Sequence, residues 1–127
     1  MSQNPIDESG AELTRLVRAT GNSLSGLRRV WRDERAFRTE VVVLAALIPL
    51  ALWLAGDALE FALLVGVWLI VIAGELGNSA VEATVDRIGT ENHELSGKAK
   101  DAASAMVMIL IVIAALVWLG FLLGKSW

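Results

Sequence analysis

The sequence predicts an all-α integral membrane protein with three transmembrane helices and an N-terminal amphipathic surface helix. Three observations carry that prediction. The chain is 55% apolar, with a mean hydropathy of +0.58, more than a domain this small can cover with polar residues in water. Stretches 41–56, 61–74 and 102–124 are apolar and free of charge. Of the 11 basic and 14 acidic residues, all but Lys125 gather between and before them. A bilayer core takes about 20 helical residues, and an open sheet edge cannot cross it, so each stretch reads as a helix. The same composition excludes a disordered chain, and the absence of cysteine excludes a disulfide scaffold. A net charge of −3 gives no reason to expect nucleic acid as a partner. Stretch 41–56 starts too late for a signal peptide and lacks a small-residue cleavage pattern. Neither it nor 102–124 has the polar face of a soluble-bundle helix.

The elements follow in order within one membrane domain, 1–127. A surface helix is expected over about 9–32, opened by the capping-box spacing of Ser9-Gly-Ala-Glu12. Leu13, Leu16, Val17, Leu24, Leu27 and Trp31 recur at helical spacing, with Arg15, Arg18, Asn22, Ser25, Arg29 and Arg32 opposite. Such a helix lies in the interface with its arginines near anionic headgroups. The first span, 35–55, needs the long side chains of Arg38 and Glu40 to reach the interface, and Pro49 kinks it mildly. The second, 58–90, is capped by Asp57-Ala-Leu-Glu60 and continues past the membrane as a cytoplasmic extension. The third covers 97–124, with Lys100 and Asp101 near its opening. Arg15, Arg18, Arg28, Arg29, Arg32, Arg35 and Arg38 precede the first span, and Arg87, Lys98 and Lys100 separate the second from the third. Loop 55–60 has no basic residue and the tail only Lys125, so the N-terminus faces the cytoplasm and the C-terminus faces outward. Trp53, Phe61, Trp118, Phe121 and Trp127 then form an aromatic belt at the outer interface.

The informative segment is 74–101, GELGNSAVEATVDRIGTENHELSGKAKD. Glu75, Asn78, Glu82 and Asp86 stand at i, i+3, i+7 and i+11, within an arc of about 80° on a helix. Counted from Phe61, Glu75 lies about 21 Å along a core about 30 Å thick. An acid there costs on the order of 2.5–3.5 kcal/mol, which makes it a functional candidate; the plain alternative is a buried helix–helix hydrogen bond. Glu34 and Glu40 flank the start of the first span, with Arg38 between, and Glu34 lies at about the depth of Glu82. Two carboxylates from different helices suit Mg²⁺ held jointly with phosphate oxygens. Lys100 can meet a phosphate as a point charge, or serve as an ordinary flanking lysine; Ser104 follows one turn deeper. A base, metal carboxylates and phosphate-binding cations are the parts of a phosphoryl-transfer site. Gly120-Phe-Leu-Leu-Gly124-Lys125-Ser126 is no phosphate loop: its glycines are one residue too close, and small-xxx-small helix packing explains it better. His93, the only histidine, reads by itself as a loop residue without a role.

The stretch GNSAVEATVDRIGTENHELSGKAKDAASA (77–105) closely resembles the signature of the prokaryotic-type diacylglycerol kinases. TRLVRATGNSLSGLRRVWRDERAFRTE (14–40) resembles their surface helix and first-span entry. The resemblance implies a homotrimeric bacterial inner-membrane enzyme with active sites shared between subunits at the cytoplasmic interface. It implies transfer of the γ-phosphate of MgATP to diacylglycerol, giving phosphatidic acid. Matched position by position, it implies Glu75 as general base and Glu34 and Glu82 as metal carboxylates. It implies nucleotide contacts at Arg15, Asn22, Glu34, Glu82, Glu91, Asn92, His93, Lys100 and Asp101, and support around the lipid head from Arg38, Glu40, Asn78, Asp86 and Ser104. Asn22 and Asn92 depart from the family, whose best-studied branch carries an aromatic at each, and this bears on how the base is held. A polyprenol kinase acting on undecaprenol is the nearest rival, although DRIG and HELSG look more like the diacylglycerol branch. A small oligomeric channel using Glu75 is the non-enzyme alternative; against it, the outer half carries no polar stripe.

Overall fold

The computed structural model of the chain describes residues 5–125. It contains four helices, α1 (Pro5–Asp33), α2 (Arg35–Leu54), α3 (Ala58–Ile88) and α4 (Glu94–Gly124), and no strand among the described residues. The chain divides after Asp33 into two compact units.

The first unit is α1. It is described from Pro5 onward, so Ser9, expected to cap it, lies inside the helix. The hydroxyls of Thr14, Thr20 and Ser23 donate to carbonyls four residues back, which satisfies them inside the helix. Leu13, Leu16, Val17, Leu24, Leu27 and Trp31 are exposed along one side, as an interfacial helix requires. At its end Arg32 donates to both carboxylate oxygens of Asp33, and this hydrogen bonding holds the Asp33 carboxyl below its ordinary range.

The second unit is a bundle in which α3 packs against both α2 and α4. All three helices are long and apolar enough to cross a membrane, and the chain is a multi-pass membrane protein. Val42, Leu52, Leu116 and Leu123 stay exposed on the outside, where hydrocarbon rather than water is the solvent. Pro49 lies inside α2 without ending it. The α2–α3 turn is tightly held: Asp57 caps α3 by accepting from Glu60 N at 2.9 Å, and Glu60 accepts from Gly56 N at 2.7 Å. Near it, Ala51, Leu54, Leu64 and Trp118 form the core cluster, with Phe61 and Phe121 against it. Trp118 corrects the expected aromatic belt. It is 8% exposed, and its Nε1 donates to Leu64 O at 3.1 Å, so it is a core residue joining α4 to α3. Trp53 is exposed, and Trp127 lies outside the described residues. α4 begins at Glu94, before the expected 97, because His93 caps it.

Candidate active site

The far end of the bundle from that turn holds the acids. Glu40, Glu75 and Ser79 are buried polar residues of the bundle, 9%, 6% and 7% exposed. Glu75 stands on α3 between Gly74 and Gly77, where α4 comes close. A Cβ on Gly74 would run into Leu110, and one on Gly77 would touch Met106 Cε at 3.4 Å. The glycines therefore let α4 lie against the turn of α3 that carries the acid.

Four carboxylates feel one another's charge there. Glu34 and Glu82 press their negative charge on Glu75, and Glu75 in turn on Glu40. Asn78 stands between Glu75 and Glu82 on the stripe and reaches Glu82 with its Nδ2 in a long 3.5 Å contact. Glu34 sits between α1 and α2 in extended conformation, and its side chain makes no cap hydrogen bond. Glu40 is steadied from α3, because Trp68 Nε1 donates to its carbonyl at 2.8 Å. Glu40 Oε2, Asn78 Oδ1 and Ser79 Oγ are buried without a hydrogen-bond partner. Such groups cost stability when left unpaired.

Two cavities flank this cluster. A groove of about 370 Å³ between α3 and α4 has Glu75, Asn78 and Ser104 at its polar head and Val107, Met108 and Ile111 along its wall. A pocket of about 340 Å³ at the α3–α4 loop is lined by Asp86, Glu91, Asn92, His93 and Lys100. Lys100 joins the two helices there, its Nζ 2.6 Å from Asp86 Oδ1, and its charge also acts on Glu82. Asp101 is exposed and Arg38 half-buried. Arg15 and Asn22 belong to α1, where Arg15 pairs with Glu12 at 2.8 Å.

The bundle thus gathers Glu34, Glu40, Glu75, Asn78, Glu82, Asp86, Lys100 and Ser104 at one end. Sequence reasoning missed Ser79, although it stands one turn after Glu75 within about 40° of the same stripe. It also missed Trp68, whose carbonyl partner is a long-range contact, and the cap formed by His93, a residue type outside the usual capping set.

Chemically, the groove offers a proton acceptor to a hydroxyl on an apolar molecule. The loop pocket and its cation offer a place for a charged polar one. A multi-pass membrane protein with a buried acid between an apolar and a polar cavity is the class these features define. The family model described as prokaryotic diacylglycerol kinase matches residues 21–122. The diacylglycerol kinase of Escherichia coli is 48% identical over 105 residues, covering 83% of this chain and 86% of that protein. That of Haemophilus influenzae is 49% identical over 110 residues, 87% of this chain and 93% of that protein. That of Pseudomonas aeruginosa is 41% identical over 124 residues, 98% of this chain and all of that protein (100%). The chain belongs to the prokaryotic diacylglycerol kinase family.

Proposed function

We propose that this chain is an ATP-dependent diacylglycerol kinase, converting 1,2-diacylglycerol and ATP to phosphatidic acid and ADP. The observation that carries the reading is the burial of Glu75 at the head of the α3–α4 groove, amid the other carboxylates. Acyl chains lie along Val107, Met108 and Ile111, bringing the glycerol hydroxyl to Glu75. The Glu75 carboxylate takes the hydroxyl proton as the oxygen bonds to the γ-phosphorus, and the bond to the ADP oxygen breaks. Asn78 orients that carboxylate, and Ser104 meets the lipid head with Glu40 and Arg38 in support. Holding both reactants in line in a water-poor site supplies most of the rate.

The nucleotide enters at the loop pocket. Lys100 and Asp101 of α4 and the Glu91, Asn92 and His93 segment face its phosphates and ribose, with Asp86 fixing Lys100. Arg15 and Asn22 of α1 serve the nucleotide as well. Glu34 and Glu82 suit Mg²⁺ brought with those phosphates. No three acidic or imidazole groups among the described residues form a closed metal cage, but Mg²⁺ needs only one or two carboxylates plus phosphate oxygens. When bound, the ion neutralises charge on the β- and γ-phosphates.

The enzyme is a homotrimer in the bacterial inner membrane, with active sites shared between subunits, the N-terminus cytoplasmic and the C-terminus outward. The excess of arginine before α2 and the bare α2–α3 turn support that orientation. The test gives purified full-length protein γ-labelled ATP together with diacylglycerol and undecaprenol. Labelled phosphatidic acid is the expected product. Label on undecaprenol alone would transfer the assignment to a polyprenol kinase, and label on neither lipid would remove the kinase reading.

A further inference from the structure

His93 closes the α3–α4 loop with two hydrogen bonds. Its carbonyl accepts from Gly97 N at 3.0 Å, opening the helical ladder of α4. Its ring Nδ1 accepts from Leu95 N at 3.1 Å, which makes the imidazole the N-cap of α4. A ring nitrogen can accept an N–H only when it carries no proton itself, so this bond requires the tautomer with its proton on Nε2. A serine or asparagine cap keeps its acceptor throughout the neutral pH range, whereas an imidazole cap does not.

The charged groups that line the pocket with His93 are Asp86 from α3, Glu91 from the loop, and Glu94 and Lys100 from α4. Asp86 and Lys100 offset one another at 2.6 Å.

We propose that His93 is a positioning residue: its neutral imidazole holds the α3–α4 loop in the form that receives the nucleotide, and protonation releases that loop. This rests on the nucleotide occupying the loop pocket, as proposed above. On protonation Nδ1 becomes a donor facing the donor N–H of Leu95. The cap is lost, and the first turn of α4 frays, since helix ends open at small cost. Glu91 and Asn92, on the chain that leads into that turn, lose their fixed places. The effect falls on ATP affinity rather than on the transfer step at Glu75.

Two readouts on the full-length protein in micelles test this. The first follows exchange protection of the Leu95 amide, relative to that of Ala99, by nuclear magnetic resonance. It is expected to fall as pH drops from about 8 to about 5.5 in the wild type and to stay level in His93→Asn, whose amide caps at either pH. The second is KM for ATP, expected to rise about fivefold more in the wild type than in His93→Asn over that range, the size of a lost N-cap. Level Leu95 protection in the wild type, or the same KM profile in both proteins, overturns the proposal. His93→Asp substitutes if the asparagine variant fails to fold. If no lipid is phosphorylated at any pH while Leu95 protection still follows pH, the cap stands and the kinase reading fails instead.

Discussion

The ammonium of Lys100 on α4 lies 2.6 Å from Asp86 Oδ1 on α3, tying together the two helices that carry the loop pocket. Both side chains are about half exposed, 40% and 52%, so the pair contributes little to folding. Its consequence is positional: the cation is held at the pocket, with Glu82 within its field. Lys100→Met should therefore leave thermal unfolding nearly unchanged and raise KM for ATP about tenfold or more. Asp86→Asn should give a smaller rise, because it frees the lysine without removing it. Equal unfolding losses and unaltered KM values would make the pair a structural tie alone.

Glu75 supports the sharpest prediction. Glu75→Gln keeps the shape of the side chain but removes the proton acceptor. Turnover should fall about a thousandfold, within the usual range for loss of a general base. The variant should run at the oligomeric size of the wild type. Wild-type-like turnover would show that the hydroxyl proton leaves by another route.

What was legible in the sequence, and what was not, divides along a physical line. The three spans, the Asp57 cap and the stripe from Glu75 to Asp86 are local patterns, read from spacing along one helix. Trp118 was misread because an aromatic near the end of a span fits an interfacial belt and a core equally well; only its bond to Leu64 O decides. Ser79 and Trp68 were missed for a related reason. Ser79 counts as polar and small until its burial is known, and Trp68 acts through a backbone carbonyl on another helix. For Glu34 and Glu40 the sequence reading reaches only the flank of the first span and a depth of Glu34 near that of Glu82, since depth along separate helices does not say which faces meet. His93 shows the opposite limit: its role is local, but one side chain can cap a helix, line a pocket or do neither at the same spacing.

Gly74 tests whether the close approach of α4 matters to the acid beside it. A Cβ there would collide with Leu110. Gly74→Ala should cost about 1–3 kcal/mol in unfolding, the range for overpacking, and should lower kcat. Adding Leu110→Ala should relieve the collision and restore part of kcat, although Leu110→Ala alone removes packing. Failure of the second change to restore anything would mean that the glycine acts through its backbone.

At the opposite end of the bundle, Lys125 Nζ donates to Trp53 O at 2.9 Å and sits 3.7 Å from the centroid of the Trp53 ring. α2 has no basic residue in its own last turn, so the lysine following α4 supplies the charge that suits this helix end. The contact lies far from Glu75, beyond the core cluster of Ala51, Leu54, Leu64 and Trp118. Lys125→Ala should thus lower stability by roughly 0.5–1 kcal/mol, the scale of one exposed cation–π contact. It should leave KM for ATP and the pH profile as they are in the wild type. Lys125→Arg should recover most of the stability, because guanidinium can both stack on the indole and donate to the carbonyl. Thermal unfolding of the three proteins in one detergent, with lipid phosphorylation measured on the same samples, checks this. A kinetic defect in Lys125→Ala without a stability loss would mean that this end of the bundle communicates with the site.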